Sequence, residues 1–174
     1  MPGNLPPTAA DGVLAVTGSS VIDAPVDTVW RVLMDFPAYS EWYSNNLIPD
    51  QVAHEGSFLH LTVHLPPSMS PPSRLSLLSP STTQLTVSLL DEENHRVAWT
   101  NRMPPWLMRT ERWQWLTVVE EEDGSTKTKY ESIEVFNGPA AYIVKFFVAP
   151  YLRMAFKAMG EDLKRRAEAQ TRVG

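Results

Sequence analysis

Polar and apolar residues alternate most cleanly between Phe58 and Leu65. Leu59, Leu61, Val63 and Leu65 share one face, and Phe58, His60, Thr62 and His64 share the other. This period of two predicts a strand. Val13 to Ile22, rich in Val, Thr and Ser, predicts an earlier strand. Further strands fall at about 74–79 or 84–91, then 95–102, 109–122 and 126–137. Acidic turns, Asp91 to Asn94 and Glu121 to Gly124, separate them. Strands in series with short turns predict an antiparallel meander.

The period changes to helical in two places. Val26, Val29, Trp30, Leu33 and Met34 give one apolar face after Pro25, which is expected at the first helical position, and Pro37 ends that helix. Residues 37–46 predict one helical turn and then a loop. After Gly138-Pro139 a long helix is expected to about residue 170, with a kink or break near 146–150 imposed by Pro150. The fold class is therefore α+β: a curved antiparallel sheet of six or seven strands around a long C-terminal helix. Residues 1–12 read as a frayed tail and 13–170 as a single domain. The Pro-rich stretch 66–73 is a loop, either a lid or a passive surface insertion.

Composition removes several function classes. The chain has 174 residues and a net charge of −5, which disfavours a nucleic-acid partner. It has no cysteine, which excludes disulfides, zinc–thiolate sites and a Cys nucleophile, and suits a reducing, cytoplasmic setting. No apolar run is long enough to span a bilayer. There is no dinucleotide fingerprint, P-loop or nucleophile elbow, and no cofactor is expected. His60 and His64 share a strand face, but the aliphatic face opposite is the natural buried side, so both are expected in solvent rather than on a metal.

Four stretches resemble the SRPBCC superfamily in its polyketide cyclase/dehydrase-like branch, which shares the helix-grip fold of START lipid-transfer and birch-allergen proteins. They are IDAPVDTVWRVLMDFPAYSEW (Ile22 to Trp42), Gly56 at the start of a strand, RVAWTNRM (Arg96 to Met103) and ESIEVFNG (Glu131 to Gly138). The resemblance covers most of residues 13–168. It implies the fold, with a ligand cavity between sheet and helix, but no shared catalytic residues. The Pro-rich loop and Pro150 depart from the pattern.

Site candidates therefore rest on their chemistry. Glu134 alternates with Tyr130, Ser132 and Phe136; if that face lines a cavity, its desolvated carboxyl can serve as general acid or base. Ile133 and Val135 claim the opposite face as apolar, so both parities stay open. Asn101 shares a face with Trp99 and can donate to a carbonyl or enolate oxygen. Tyr130 completes the catalytic candidates. Arg109 and Arg112 are surface residues or partners of a carboxylate. The candidate ligand wall comprises Trp42, Tyr43, Trp99, Trp113, Trp115 and Phe136, with Tyr142, Phe146 and Tyr151 from the long helix; core filling is the alternative for the tryptophans.

The function expected is capture of a mostly apolar small molecule. Either cofactor-free cyclisation, dehydration or rearrangement of a polyketide- or terpenoid-like intermediate follows, or the protein is a non-catalytic carrier of a hydrophobic ligand. A monomer or homodimer suits both.

Overall fold

Seven antiparallel strands form one sheet in the order β1-β7-β6-β5-β4-β3-β2: β1 (Leu14–Ile22), β2 (Asn46–Leu47), β3 (Phe58–Val63), β4 (Ser81–Asp91), β5 (Arg96–Asn101), β6 (Arg109–Glu120) and β7 (Thr126–Asn137). The computed structural model describes residues 5–42, 46–47, 53–63 and 81–173. From β2 to β7 each strand pairs with the next in sequence, and β1 then pairs with β7 along its whole length, Leu14 opposite Phe136 and Ile22 opposite Thr128. The Pro-rich stretch 66–73 and the strand expected at 74–79 lie outside the described residues.

Helix α1 (Val26–Met34) buries Val29, Val32 and Leu33, the apolar face read from its spacing. Pro25 precedes the first helical residue instead of occupying it. Its carbonyl accepts the first bonds, from the Thr28 and Val29 N–H groups at 3.0 and 3.1 Å. A 3-10 turn (Phe36–Ala38) and the short helix α2 (Tyr39–Trp42) follow.

Gly138 turns the chain from β7 into the final helix. Its φ of +96° is a left-handed value that favours glycine, and a Cβ there would lie 2.8 Å from the Leu107 carbonyl oxygen. Helix α3 (Pro139–Ile143), a π turn (Val144–Val148) and α4 (Ala149–Val173) then run without interruption. The irregularity expected from Pro150 takes this form: proline cannot donate to the Phe146 carbonyl and its ring would collide with it, so the turn ahead is widened.

α4 lies on the concave face of the sheet, closest to β1. A Cβ on Gly18 would meet the Phe156 carbonyl oxygen at 3.0 Å. The inner layer joins Ile22, Val29, Leu33, Phe36, Trp99, Tyr130, Met159 and Leu163 in one cluster. A second inner cluster, Leu14, Val16, Phe136, Ala141, Ala149 and Phe156, seats the start of the terminal helix. The outer face carries a third: Ala98, Trp113, Ile133 and Val135. Residues 8–12 are not frayed. Thr8 and Asp11 cap a 3-10 turn (Ala9–Asp11), the Asp11 carbonyl accepts from Asn137 Nδ2 at 2.9 Å, and the Val13 N–H bonds the Phe136 carbonyl.

Candidate functional site

The alternation of β7 decides which groups meet the helix. Tyr130, Ser132 and Phe136 are buried on the inner side, and Glu134 shares their face. On β6 the inner residues are Thr110, Arg112, Gln114 and Leu116. The register sets Arg112 directly opposite Glu134, Gln114 opposite Ser132 and Leu116 opposite Tyr130. Paired residues of antiparallel strands project to the same side, so Arg112 and Glu134 are neighbours over the concave floor.

Two aromatic rings hold the Arg112 guanidinium. Phe156 of α4 lies 4.1 Å from it and Trp99 of β5 lies 5.8 Å away. A planar cation over ring faces is attracted by their quadrupoles and fixed in orientation. Glu134 is half-buried, and among the described residues no side-chain hydrogen bond to its carboxylate is seen. Burial pushes its pKa above the ordinary carboxylate range, and Arg112 offsets part of that rise.

Tyr130 belongs to a different part of the floor. Its Cα lies four residues from that of Glu134 along one strand, about 13 Å by strand rise. Its hydroxyl donates to Gln114 Oε1 at 2.6 Å, and the ring is fully buried in the core. Burial raises the phenol's pKa, while Arg112 and Ser132 are near enough to pull the other way. Ser132 Oγ itself completes no hydrogen bond among the described residues. Tyr130 with Gln114 is a satisfied buried pair, and Arg112 acts on both Tyr130 and Glu134.

The other expected site residues are placed as follows. Asn101 is occupied at both ends of its amide: Nδ2 donates to the Met108 carbonyl at 3.2 Å and Oδ1 accepts from the Thr110 N–H at 2.9 Å. It clamps the connection between β5 and β6, which leaves one of its two Nδ2 hydrogens outside these bonds. Trp113 and Trp115 project from the outer face. Trp113 is fully buried there with Ala98, Ile133 and Val135 and donates to Glu111 Oε1 at 2.8 Å; Trp115 donates to Glu131 Oε2 at 3.2 Å. Alternation sends them away from Arg112 and Gln114. Tyr142, Phe146 and Tyr151 are exposed, because α3 and α4 turn Ala141, Ala149, Ala155, Phe156 and Met159 toward the sheet instead.

Trp99 and Phe136 do lie on the inner face, and Trp42 is buried beside Tyr39, ring centroids 4.7 Å apart. Tyr43 and His64 fall outside the described residues. His60 points to the outer side and meets Gln84 at 3.0 Å. The residue undervalued by sequence reasoning is Arg112. Its signal was available: with Trp113 and Trp115 on one face, Arg112 and Gln114 must take the other.

A model of the polyketide cyclase/dehydrase and lipid-transport family matches residues 14–168. The chain belongs to that family. The match confirms the SRPBCC resemblance and agrees with the sheet-and-helix architecture. A member of an oxopyrrolidine biosynthesis cluster, protein O of Penicillium oxalicum, is 25% identical over 95% of this chain and 91% of its own length. Among solved structures, a hypothetical protein of Helicobacter pylori shares the fold at a TM-score of 0.62 and 11% identity, covering 96% of this chain and 97% of that one. The di-domain aromatase/cyclase BexL, from the BE-7585A biosynthetic pathway, aligns at a TM-score of 0.54 and 18% identity over 90% of this polyketide cyclase-like chain and 49% of its own.

Proposed function

We propose that this chain is a cofactor-independent enzyme of secondary metabolism, acting on an apolar, carbonyl-bearing intermediate held between the concave sheet and α4. The observation that carries the reading is the Arg112–Glu134 pair, opposed across β6 and β7 and bracketed by Trp99 and Phe156. Family membership and the biosynthetic-cluster relative support it.

The chemistry follows from the two charges. The Glu134 carboxylate removes an acidic proton from a carbon flanked by carbonyls. Negative charge then gathers on a carbonyl oxygen, where the Arg112 guanidinium opposes it. The enolate carbon attacks a second carbonyl of the same molecule, and the new alkoxide takes the proton back from Glu134. The regenerated carboxylate then removes the second proton from the attacking carbon and passes it to the hydroxyl, which departs as water and leaves a C=C bond. The rings exclude solvent and orient the chain, which supplies the remaining advantage.

The test is Glu134→Gln, introduced in the native host and assayed as purified protein on the intermediate that accumulates. Binding is expected to persist while turnover falls about 10²–10⁴-fold. Unchanged product formation, with binding retained, would instead establish a hydrophobic-ligand carrier.

A further inference from the structure

The residues expected to wall the ligand from the helix side form a different surface. Phe146 and Phe147 are each 72% exposed, and Tyr142, Ile143 and Met154 are more than half exposed. The π turn explains the first pair: the widened turn presents Lys145, Phe146 and Phe147 to solvent in succession. Trp106, 75% exposed, occupies the turn between β5 and β6. That turn abuts the same end of the molecule, since the Leu107 carbonyl accepts from the Ala140 N–H at 3.1 Å and Met108 packs in the cluster that contains Ala141. Monomeric proteins rarely leave so many large apolar side chains together in water.

Cations outnumber carboxylates around this end, where Arg109 pairs with Glu111 at 3.5 Å and Lys157 with Glu161 at 3.7 Å. Residues 135–160 contain Lys145, Arg153 and Lys157 and no acidic residue; residues 102–109 contain Arg102 and Arg109 and again none. All five cations are exposed. The remainder of the chain holds all twenty of its acidic residues and only ten of its fifteen bases. The molecule is thus polarised, with an apolar and cationic end on an otherwise acidic body.

We infer that this end docks on an anionic lipid surface. Phe, Trp and Tyr side chains enter the headgroup boundary, and the cations meet lipid phosphates and carboxylates. The acidic body is repelled, which fixes the orientation. No described helix is long and apolar enough to cross a membrane, so the contact is interfacial. A second copy of this chain is a poor occupant, because a two-fold interface over this face would set the same cations against one another.

Co-sedimentation of the full chain with vesicles tests the inference. Phosphatidylcholine vesicles containing phosphatidylserine are expected to bind the protein, pure phosphatidylcholine much less, with binding weakening as salt rises. Phe146→Ser with Phe147→Ser removes inserted apolar area and is expected to weaken binding more than ten-fold. Lys145→Glu, a milder change at an exposed position, is expected to cost roughly five-fold or more and to lose the preference for anionic lipid. Circular dichroism verifies that both variants remain folded. Absence of vesicle binding, binding unaltered by either variant, or a concentration-dependent dimer in sedimentation velocity that the Phe variant dissolves would each overturn the inference, the last by assigning the face to self-association.

Discussion

The two faces of the β6–β7 ribbon make different uses of burial. The outer face packs Trp113, Ile133 and Val135 against Ala98, and around them carries surface polar pairs such as Trp113 with Glu111 and Lys129 with Glu131. The inner face, on the same residues' neighbours, buries Gln114 and Ser132 and places Arg112 and Glu134 beneath α4. Ordinary cores avoid polar groups that cost desolvation. The inner face belongs to the main apolar core through Leu116, Tyr130 and Phe136, yet it also takes in these polar groups. The outer cluster of Trp113, Ile133 and Val135 takes in none in its buried centre, so the two faces differ in what their burial includes.

The largest expected effect separates the faces by tryptophan. Trp113→Ala opens a cavity in the outer cluster and should cost about 3–5 kcal/mol. Trp99→Ala, in the inner cluster, should cost a comparable amount and also remove one of the two rings over Arg112. Denaturant unfolding measures the first quantity for both. Ligand affinity at a temperature where both remain folded should drop for Trp99→Ala alone. Equal loss of affinity in the Trp113 variant would show that the division between faces has no functional meaning.

This division also marks how far the sequence could be read. The strands, α1 and the terminal helix were legible because period two and period 3.6 are written into Leu59 to Leu65 and Val26 to Met34. The parity of β7 was not, because both of its faces are buried: Tyr130 and Phe136 on one, Ile133 and Val135 on the other. Alternation identifies a buried side only where the opposite side is wet. The Trp pair of β6 misled for the same reason. Tyr142, Phe146 and Tyr151 were assigned inward on the strength of apolar character, yet the close approach of α4 to β1 at Gly18 favours alanines in the interface and leaves the large rings outside. The two-residue β2 carries no pattern that could announce it.

A smaller effect tests whether the polar floor is self-satisfied at its Tyr130 end. Tyr130→Phe keeps the ring and removes the donor to Gln114 Oε1, leaving a buried amide oxygen without that partner. The expected cost is about 1–3 kcal/mol, or a Tm lowered by about 2–4 °C for each kcal/mol. Turnover should be nearly unchanged, because the hydroxyl is engaged with Gln114. A large loss of turnover with stability intact would return Tyr130 to the reacting centre and extend the site along β7.

The smallest effect is the stability of Glu134→Gln as a function of pH, and it probes the balance between burial and Arg112. Burial, the larger influence, lifts the folded-state pKa above 4.5, while Arg112 lowers it. In the interval between the unfolded and folded values the native state therefore holds more proton than the unfolded chain. Stability then falls as pH rises through that interval and levels off above it. Glutamine has no proton to lose, so the variant escapes the fall. The two proteins should unfold at similar denaturant concentrations near pH 4, and the variant should become the more stable of the two toward pH 7. Asp162 on α4, whose pKa burial also raises, contributes with the same sign to both proteins and cancels in the difference. The gap should be modest, because the carboxylate is only half-buried and Arg112 recovers part of its desolvation. A variant that instead loses ground as pH rises would mean that the attraction of Arg112 outweighs burial. Glu134 would then be an ion-pair partner locked in its charged form, and the proton exchange that distinguishes the inner face would have to be sought elsewhere on it.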